Sequence, residues 1–280
     1  MAELFEIGLC NKFFQGSTLS VAISLIAVVA IGYLLGSLNF GVIISKIFYH
    51  DDVRKHGSGN AGMTNMLRTY GKFPAVMTFL GDGLKTALAV LIGALLLGTH
   101  NTIFYSHDGV IYSNIDALMR KLAEIYVDVD RINLREVPNL IIYEGFAGMY
   151  IAGVVSIIGH CYPVYYKFRG GKGVTAALFM VLCTSPVVGL ICLAFFIIVV
   201  IGTKFISLGS IMAVLLYPLV LYRMTSAGPH ILIATTVMLF IIFQHRSNIM
   251  RLINGKENKL NLKFGKKAKQ EKQENEEENK

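Results

Sequence analysis

The chain has 280 residues, of which 54% are hydrophobic and 16% charged, and a formal charge of +8. A soluble globular chain carries about 25% charged residues; a mean hydropathy of +0.57 and repeated apolar runs of bilayer-spanning length exclude one, and because the runs are continuous they also exclude a transmembrane β-barrel. The positive charge therefore speaks to membrane topology, not nucleic acid, since cations stay with cytoplasmic loops.

Residues 1–16 are short and mixed, without the basic start and small-residue cleavage site of a signal peptide. The first predicted span runs from Leu19 to about Ile47, and Gly36, Ser37, Asn39 and Gly41 thin its far end. A polar stretch follows, R-K-H-G-S-G-N-A-G-M-T-N-M-L-R from Arg54 to Arg68. Gly57, Gly59 and Gly62 let backbone N–H groups approach a ligand closely; Ser58, Asn60, Thr64 and Asn65 add short donors, and Arg54, Lys55 and Arg68 add charge. Those are the ingredients of a phosphate cradle, although ordinary loops between membrane helices are also rich in Gly, Ser and Asn.

Phe73 to Gly98 is the second span, and its Asp82 and Lys85 are three apart, on one helix face. A charged pair inside a membrane helix points to function or to packing near the helix end. His100 to Asn139 is the one polar insertion, with a net charge of −2 from four bases and six acids. Ile115, Leu118, Leu122, Ile125 and Val129 lie at helical spacing within it and predict a short amphipathic helix.

Leu140 to Ile158 is the third span, and a second glycine–cation loop, G-H-C-Y-P-V-Y-Y-K-F-R-G-G-K-G-V-T, covers Gly159 to Thr175. The apolar chain from there to Met224 breaks at Thr184-Ser185-Pro186 and Gly202-Thr203-Lys204, giving three shorter spans, and Ile231 to Phe243 is the last. The total is about seven crossings in an all-α polytopic fold. Cys10, Cys161, Cys183 and Cys192 have no pairing or ligand spacing and read as packing residues. Residues 1–258 read as one integral-membrane domain with an extracytoplasmic insertion at 99–139; 259–280 reads as a charged, disordered tail. With this count the cations at 54–72, 167–172, 204 and 246 onward share one side, which places the N-terminus outside and the C-terminus in the cytoplasm.

Three donor-rich stretches thus meet on the cytoplasmic face. Gly170-Gly171-Lys172-Gly173 is a phosphate site rather than a P-loop, because Lys172 is followed by glycine instead of Ser or Thr. His245, Asn248 and Arg251 fall on one face of a helix continued from the last span; an interfacial histidine beside headgroups, with Arg246 and Arg251 as surface anchors, is the plainer alternative for this stretch by itself.

Together the stretches resemble the bacterial membrane acyl-phosphate:glycerol-3-phosphate acyltransferases, the PlsY family. The resemblance rests on G-S-x-x-x-G at 36–41, G-S-G-N-x-G-x-T-N at 57–65, D-x-x-K at Asp82 and Lys85, and G-H-x-x-P with F-x-G-G-K-G across 159–173. It continues through S-L-x-S at 207–210 and H-x-x-N-x-x-R-L-x-x-G-x-E at 245–257. Gln244-His245-Arg246 replaces the family's arginine-rich start to the last motif, and the insertion and tail exceed its compact pattern. No histidine is followed five residues later by Asp, so the H-x-x-x-x-D dyad of the thioester-using acyltransferases is absent.

The resemblance implies a seven-helix enzyme of the bacterial plasma membrane, with its active site facing the cytoplasm. It would move an acyl group from acyl phosphate to the sn-1 hydroxyl of glycerol 3-phosphate, releasing lysophosphatidate and inorganic phosphate in the first step of phospholipid synthesis. It implies His245, Asn248 and Ser58 as catalytic residues. The phosphate ligands would be Arg54, Gly57, Gly59, Asn60, Thr64, Asn65, Arg68, Gly170, Gly171, Lys172, Gly173, Ser207 and Arg251, supported by Ser37, Asp82, Lys85, His160 and Glu257. No cofactor, metal or nucleic acid is implied; the lipid bilayer and the enzyme that makes acyl phosphate are the implied partners. A transporter or exchanger of organic phosphates is the rival, since it too would use glycines, cations and an intramembrane Asp/Lys pair. A scaffold for lipid-synthesis enzymes would use the basic tail and leave the three motifs unexplained.

Overall fold

The structure is a computed structural model describing residues 18–97, 104–107, 110–112, 141–143, 147–224 and 228–260. The described helices are α1 (Thr18–Ser37), α2 (Phe40–Tyr49), α3 (Met63–Thr69), α4 (Lys72–Leu97), α5 (Ala147–Cys161), α6 (Val174–Thr184), α7 (Pro186–Thr203), α8 (Ile206–Met224), α9 (Gly228–Gln244) and α10 (Arg246–Ile253). Strands β1 (Phe104–His107), β2 (Val110–Tyr112) and β3 (Ile141–Tyr143) form an antiparallel sheet in the order β2-β1-β3.

Among the described residues, five spans are long and apolar enough to cross a membrane, or six if the bent pair α9–α10 is counted as one. Their outward faces are apolar: Leu84, Leu88 and Leu91 on α4 and Ile197, Ile198 and Ile201 on α7 are all exposed, as a lipid solvent requires. The first span, Ala22–Tyr49, breaks between α1 and α2, where Asn39 caps α2 by accepting a hydrogen bond from the Val42 N–H (3.4 Å). The breaks read at 184–186 and 202–204 lie where α6 gives way to α7 and α7 to α8, with Pro186 at the first turn of α7.

Three sequence expectations change. The third span begins at Ala147 rather than Leu140 and runs on to Cys161, because Ile141–Tyr143 pairs with β1 as a strand. With its 11 residues α6 is short of a bilayer crossing: at 1.5 Å per residue it rises roughly 16 Å. Finally, the last span is not continued by a straight helix, since α10 leaves α9 at 60°. The amphipathic helix expected around Ile115–Val129 and the tail beyond Leu260 lie outside the described residues.

Contacts divide the chain into two compact units, Met1–Gly32 with Leu88–Ala152, and Tyr33–Ala87 with Gly153–Lys280. Within the first, Gly93 and Gly148 let α4 and α5 approach so closely that a Cβ on Gly148 would lie 2.8 Å from the Leu97 side chain. Every motif singled out in the sequence belongs to the second unit, where a Cβ on Gly159 would lie 2.5 Å from the Tyr33 carbonyl.

Candidate active site

The first loop is shaped by one amide. Asn65, buried on α3, donates through Nδ2 to the carbonyls of Val53 (2.9 Å), His56 (3.0 Å) and Asn60 (2.9 Å), while its Oδ1 accepts from the Ser58 N–H (2.9 Å). Gly57 has φ +56°, and a Cβ there would overlap Asn65 Oδ1, so this position needs glycine for both conformation and space. The two acids just before the loop are engaged. Asp51 accepts from Tyr70 Oη (2.7 Å) and contacts His56 Nε2 (2.6 Å); Asp52 pairs with Arg54 (2.7 Å). Hydrogen bonds from Arg54 hold the Asp52 carboxyl below its ordinary value despite partial burial.

The second loop closes on the end of α5. The Gly170 N–H donates to Cys161 O and that of Gly171 to His160 O, each at 3.1 Å, and a Cβ on Gly171 would overlap the His160 ring. Lys167 and Phe168 sit at φ +56° and +57°, and Gly173 at +83° starts α6. Behind this loop Asp82 and Lys85 do meet, at 2.8 Å and almost fully buried. Lys85 Nζ also donates to Leu38 O at the α1–α2 break and lies 3.1 Å from His160 Nδ1, and Asp82 accepts from the Phe40 N–H (3.3 Å).

Glu257 organises the third stretch. Its carboxylate accepts from Ser207 Oγ (3.0 Å), Asn248 Nδ2 (2.8 Å) and Arg251 Nε (2.8 Å), and Asn248 Oδ1 accepts from Lys172 Nζ. Burial alone would raise Glu257; the hydrogen bonds from Arg251, Asn248 and Ser207 outweigh it and bring the carboxyl below its usual value. His245 caps α10, and its Nδ1 lies 2.8 Å from Ile241 O. A carbonyl can only accept, so Nδ1 carries the proton and Nε2 is left as an acceptor.

These residues meet around one cavity of about 230 Å³. Ser58, Asn60, Thr64, Arg68, Lys172, Ser207, His245, Asn248, Arg251 and Glu257 form its polar lining. Phe79, Leu178, Val181, Leu193, Phe196 and Val214 form much of the apolar lining. Along α8 the lining positions Ser207, Ser210, Val214 and Tyr217 follow one helical stripe, which passes from small hydroxyl side chains to larger, mostly apolar ones over roughly 15 Å. The guanidinium of Arg68 forms no hydrogen bond or ion pair among the described residues, and burial lowers its pKa. Burial first, then the nearby Arg251 charge, brings Lys172 from 10.5 to about 8.

The structure separates the expected site residues into two groups. Asp82, His160, Asn65 and Gly173 also reach the cavity wall; Arg54, Gly57, Gly59, Gly170, Gly171, Ser37 and Lys85 do not. Ser37 is buried, 3.4 Å from the Val164 N–H. Gly170 and Gly171 have given their N–H groups to α5, and Asn65 has given its amide to the first loop. Thr175 and Asn258 line the cavity without having been singled out, and Ser210, the second serine of S-L-x-S, lines it without having been given a role. Thr175 was detectable as a hydroxyl in the first turn after Gly173, and Asn258 as the neighbour of Glu257.

Comparison with known proteins converges on one group. The family model for glycerol-3-phosphate acyltransferase matches residues 26–255. The glycerol-3-phosphate acyltransferase of Clostridioides difficile (strain 630) is 35% identical over 240 residues, covering 86% of this chain and 97% of that relative. That of Neisseria meningitidis serogroup C (strain 053442) is 32% identical over 235 residues, covering 84% and 96%. The crystal structure of PlsY, an integral membrane glycerol 3-phosphate acyltransferase, in its glycerol 3-phosphate form superposes with a TM-score of 0.63 at 28% identity, over 85% of this chain and 96% of that one. By sequence, and with the fold in agreement, this chain belongs to the glycerol-3-phosphate acyltransferase family.

Proposed function

We propose that this acyltransferase moves an acyl group from acyl phosphate to the sn-1 hydroxyl of glycerol 3-phosphate. A C–O bond forms to the acyl carbonyl carbon as the hydroxyl O–H bond breaks, the acyl–phosphate bond breaks, and lysophosphatidate leaves together with inorganic phosphate, which carries away the hydroxyl proton. The observation that carries this reading is a cavity in which cations and hydroxyls adjoin a long apolar lining. Such a cavity suits a phosphorylated headgroup and a hydrocarbon chain at once.

In this reading Arg68, Lys172, Arg251, Ser58, Asn60, Thr64 and Ser207 hold the two phosphates, with the first N–H groups of α6 beside Lys172. His245 Nε2 accepts the hydrogen bond of the attacking hydroxyl, while Asn248 positions Lys172 and Glu257. Acyl phosphate is already activated, so placement and charge stabilisation supply the rate. Asp82, Lys85 and His160 are spent on one another in a buried cluster that meets the cavity only at the Asp82 and His160 edge, which supports a structural role for all three.

The reading extends to seven crossings, counting as one of them the short α6, whose helix rises through only part of the bilayer, with the N-terminus outside, a cytoplasmic active site in a bacterial plasma membrane, and residues 1–258 acting as one acyltransferase domain ahead of a charged tail. It also includes contact with the enzyme that makes acyl phosphate. The cations gathered at the cavity come from three stretches read as cytoplasmic, which supports the orientation.

The test supplies purified protein in lipid with radiolabelled glycerol 3-phosphate and either palmitoyl phosphate or palmitoyl-CoA. Lysophosphatidate and free phosphate are expected with the acyl phosphate alone. Product from the thioester would overturn the donor. Label taken up into sealed vesicles without any ester would point to a transporter instead.

A further inference from the structure

Arg54 was expected among the phosphate ligands, yet it lies off the cavity and its donors are engaged elsewhere. Nε and Nη2 fork onto the Asp52 carboxylate at 2.9 and 2.7 Å, and Nη1 donates to Tyr166 O and Arg169 O, each at 3.0 Å. Four of the five guanidinium N–H groups are thereby used. The contacts reach in two directions. Arg169 immediately precedes Gly170-Gly171-Lys172 of the second loop, and Tyr166 lies three residues before Arg169. On the other side, the neighbouring Val53 carbonyl accepts from Asn65, the amide that also holds Ser58 and Asn60. Val53 itself is anchored to α2 through its N–H and Ser45 Oγ (3.2 Å).

We infer that Asp52 and Arg54 form a brace that sets the separation of the two phosphate-binding loops, making both positioning residues for the acyl transfer. The inference rests on the proposed reaction for its kinetic arm but not for its structural arm. The two roles open to Arg54 give opposite signs at Asp52. If Arg54 bound phosphate, removing the Asp52 charge would free the guanidinium and tighten substrate. In a brace, losing either partner loosens both loops, and losing both is no worse than losing one.

The experiment compares D52N, R54A, R54K and the D52N/R54A double variant in lipid with palmitoyl phosphate and glycerol 3-phosphate. Amide hydrogen exchange is measured on the same proteins without substrate. Each single variant is expected to lower kcat/KM for both substrates by roughly 100-fold, the scale of a misplacement of about 1 Å. The double variant is expected to match the worse single variant. The Ser58, Gly170 and Gly171 amides should exchange faster in all four. R54K keeps charge and stem without the fork, so it covers the case in which R54A does not fold. Tighter substrate binding in D52N, loss of one substrate alone in R54A, or unchanged exchange with full activity in R54K would each overturn the brace. Faster exchange in the variants of a wild type that turns over no acyl phosphate would sink the proposed reaction and leave the brace standing.

Discussion

The two glycine-rich loops look alike in sequence and are built in opposite ways. In the first, a side chain holds the backbone: Asn65 reaches three carbonyls and one N–H, and Gly57 and Gly59 supply positive φ. In the second, backbone holds backbone: Gly170 and Gly171 hydrogen-bond to the end of α5, and they are glycine because His160 leaves no room for a Cβ. The first loop needs glycine for conformation, and at Gly57 for space as well, whereas Gly170 and Gly171 are glycine for space alone. Each loop then leaves one cation toward the cavity, Arg68 after the first and Lys172 within the second.

The difference can be broken most severely at Gly170. A Cβ there would overlap His160 O and stand 2.9 Å from Cys161 O, both backbone atoms that cannot rotate away. Gly170→Ala should cost roughly 1–3 kcal/mol of stability and displace Lys172, lowering kcat/KM by roughly 100-fold. Thermal unfolding and steady-state kinetics on the variant check it; a fully active variant would show that the second loop tolerates a shift.

The two cations separate by pH. Arg68→Ala should weaken phosphate binding by roughly 1.5–3 kcal/mol at every pH, since a guanidinium stays protonated throughout the working range. Lys172, depressed to about 8, loses its proton in the free enzyme as pH rises through that value. Its contribution to binding is therefore present below pH 8 and lost above it. KM should climb on the alkaline side in wild type, and Lys172→Arg should move that limb to higher pH. An unchanged alkaline limb in Lys172→Arg would remove Lys172 from the phosphate site.

The smallest effect is expected at Gly59. It has φ +70°, but the nearest atom to an added Cβ is 3.6 Å away, so Gly59→Ala meets strain without a clash. The expected cost is roughly 1–2 kcal/mol of stability, with kcat/KM within a few-fold of wild type. A loss as large as that of Gly170→Ala would erase the distinction between the loops.

Much of this was readable from residue order. Apolar runs predicted the spans, and Ser185-Pro186 and Gly202-Thr203-Lys204 marked helix boundaries because proline and left-handed residues end helices locally. The i, i+3 spacing of Asp82 and Lys85 sufficed to predict their contact. The Ile141–Tyr143 strand was missed because three apolar residues next to an apolar helix carry no period of their own, and only pairing with β1 distinguishes them. The 60° bend at His245 was missed for a related reason, since no proline or glycine marks it.

The amino-acid sequence by itself determined the medium, the positions of most helices and the set of cations and glycines available for phosphate. Those properties depend on composition and on neighbours within one or two turns. Tertiary structure decided which members of that set face a ligand. Arg54 and Arg68 are both arginines flanking one glycine-rich loop, yet Asp52 and two carbonyls from more than a hundred residues away claim the first, while among the described residues no hydrogen bond or ion pair claims the second. A hydrogen-bonding side chain takes whichever partner the fold brings within about 3 Å, and that choice is made only when the distant loop arrives.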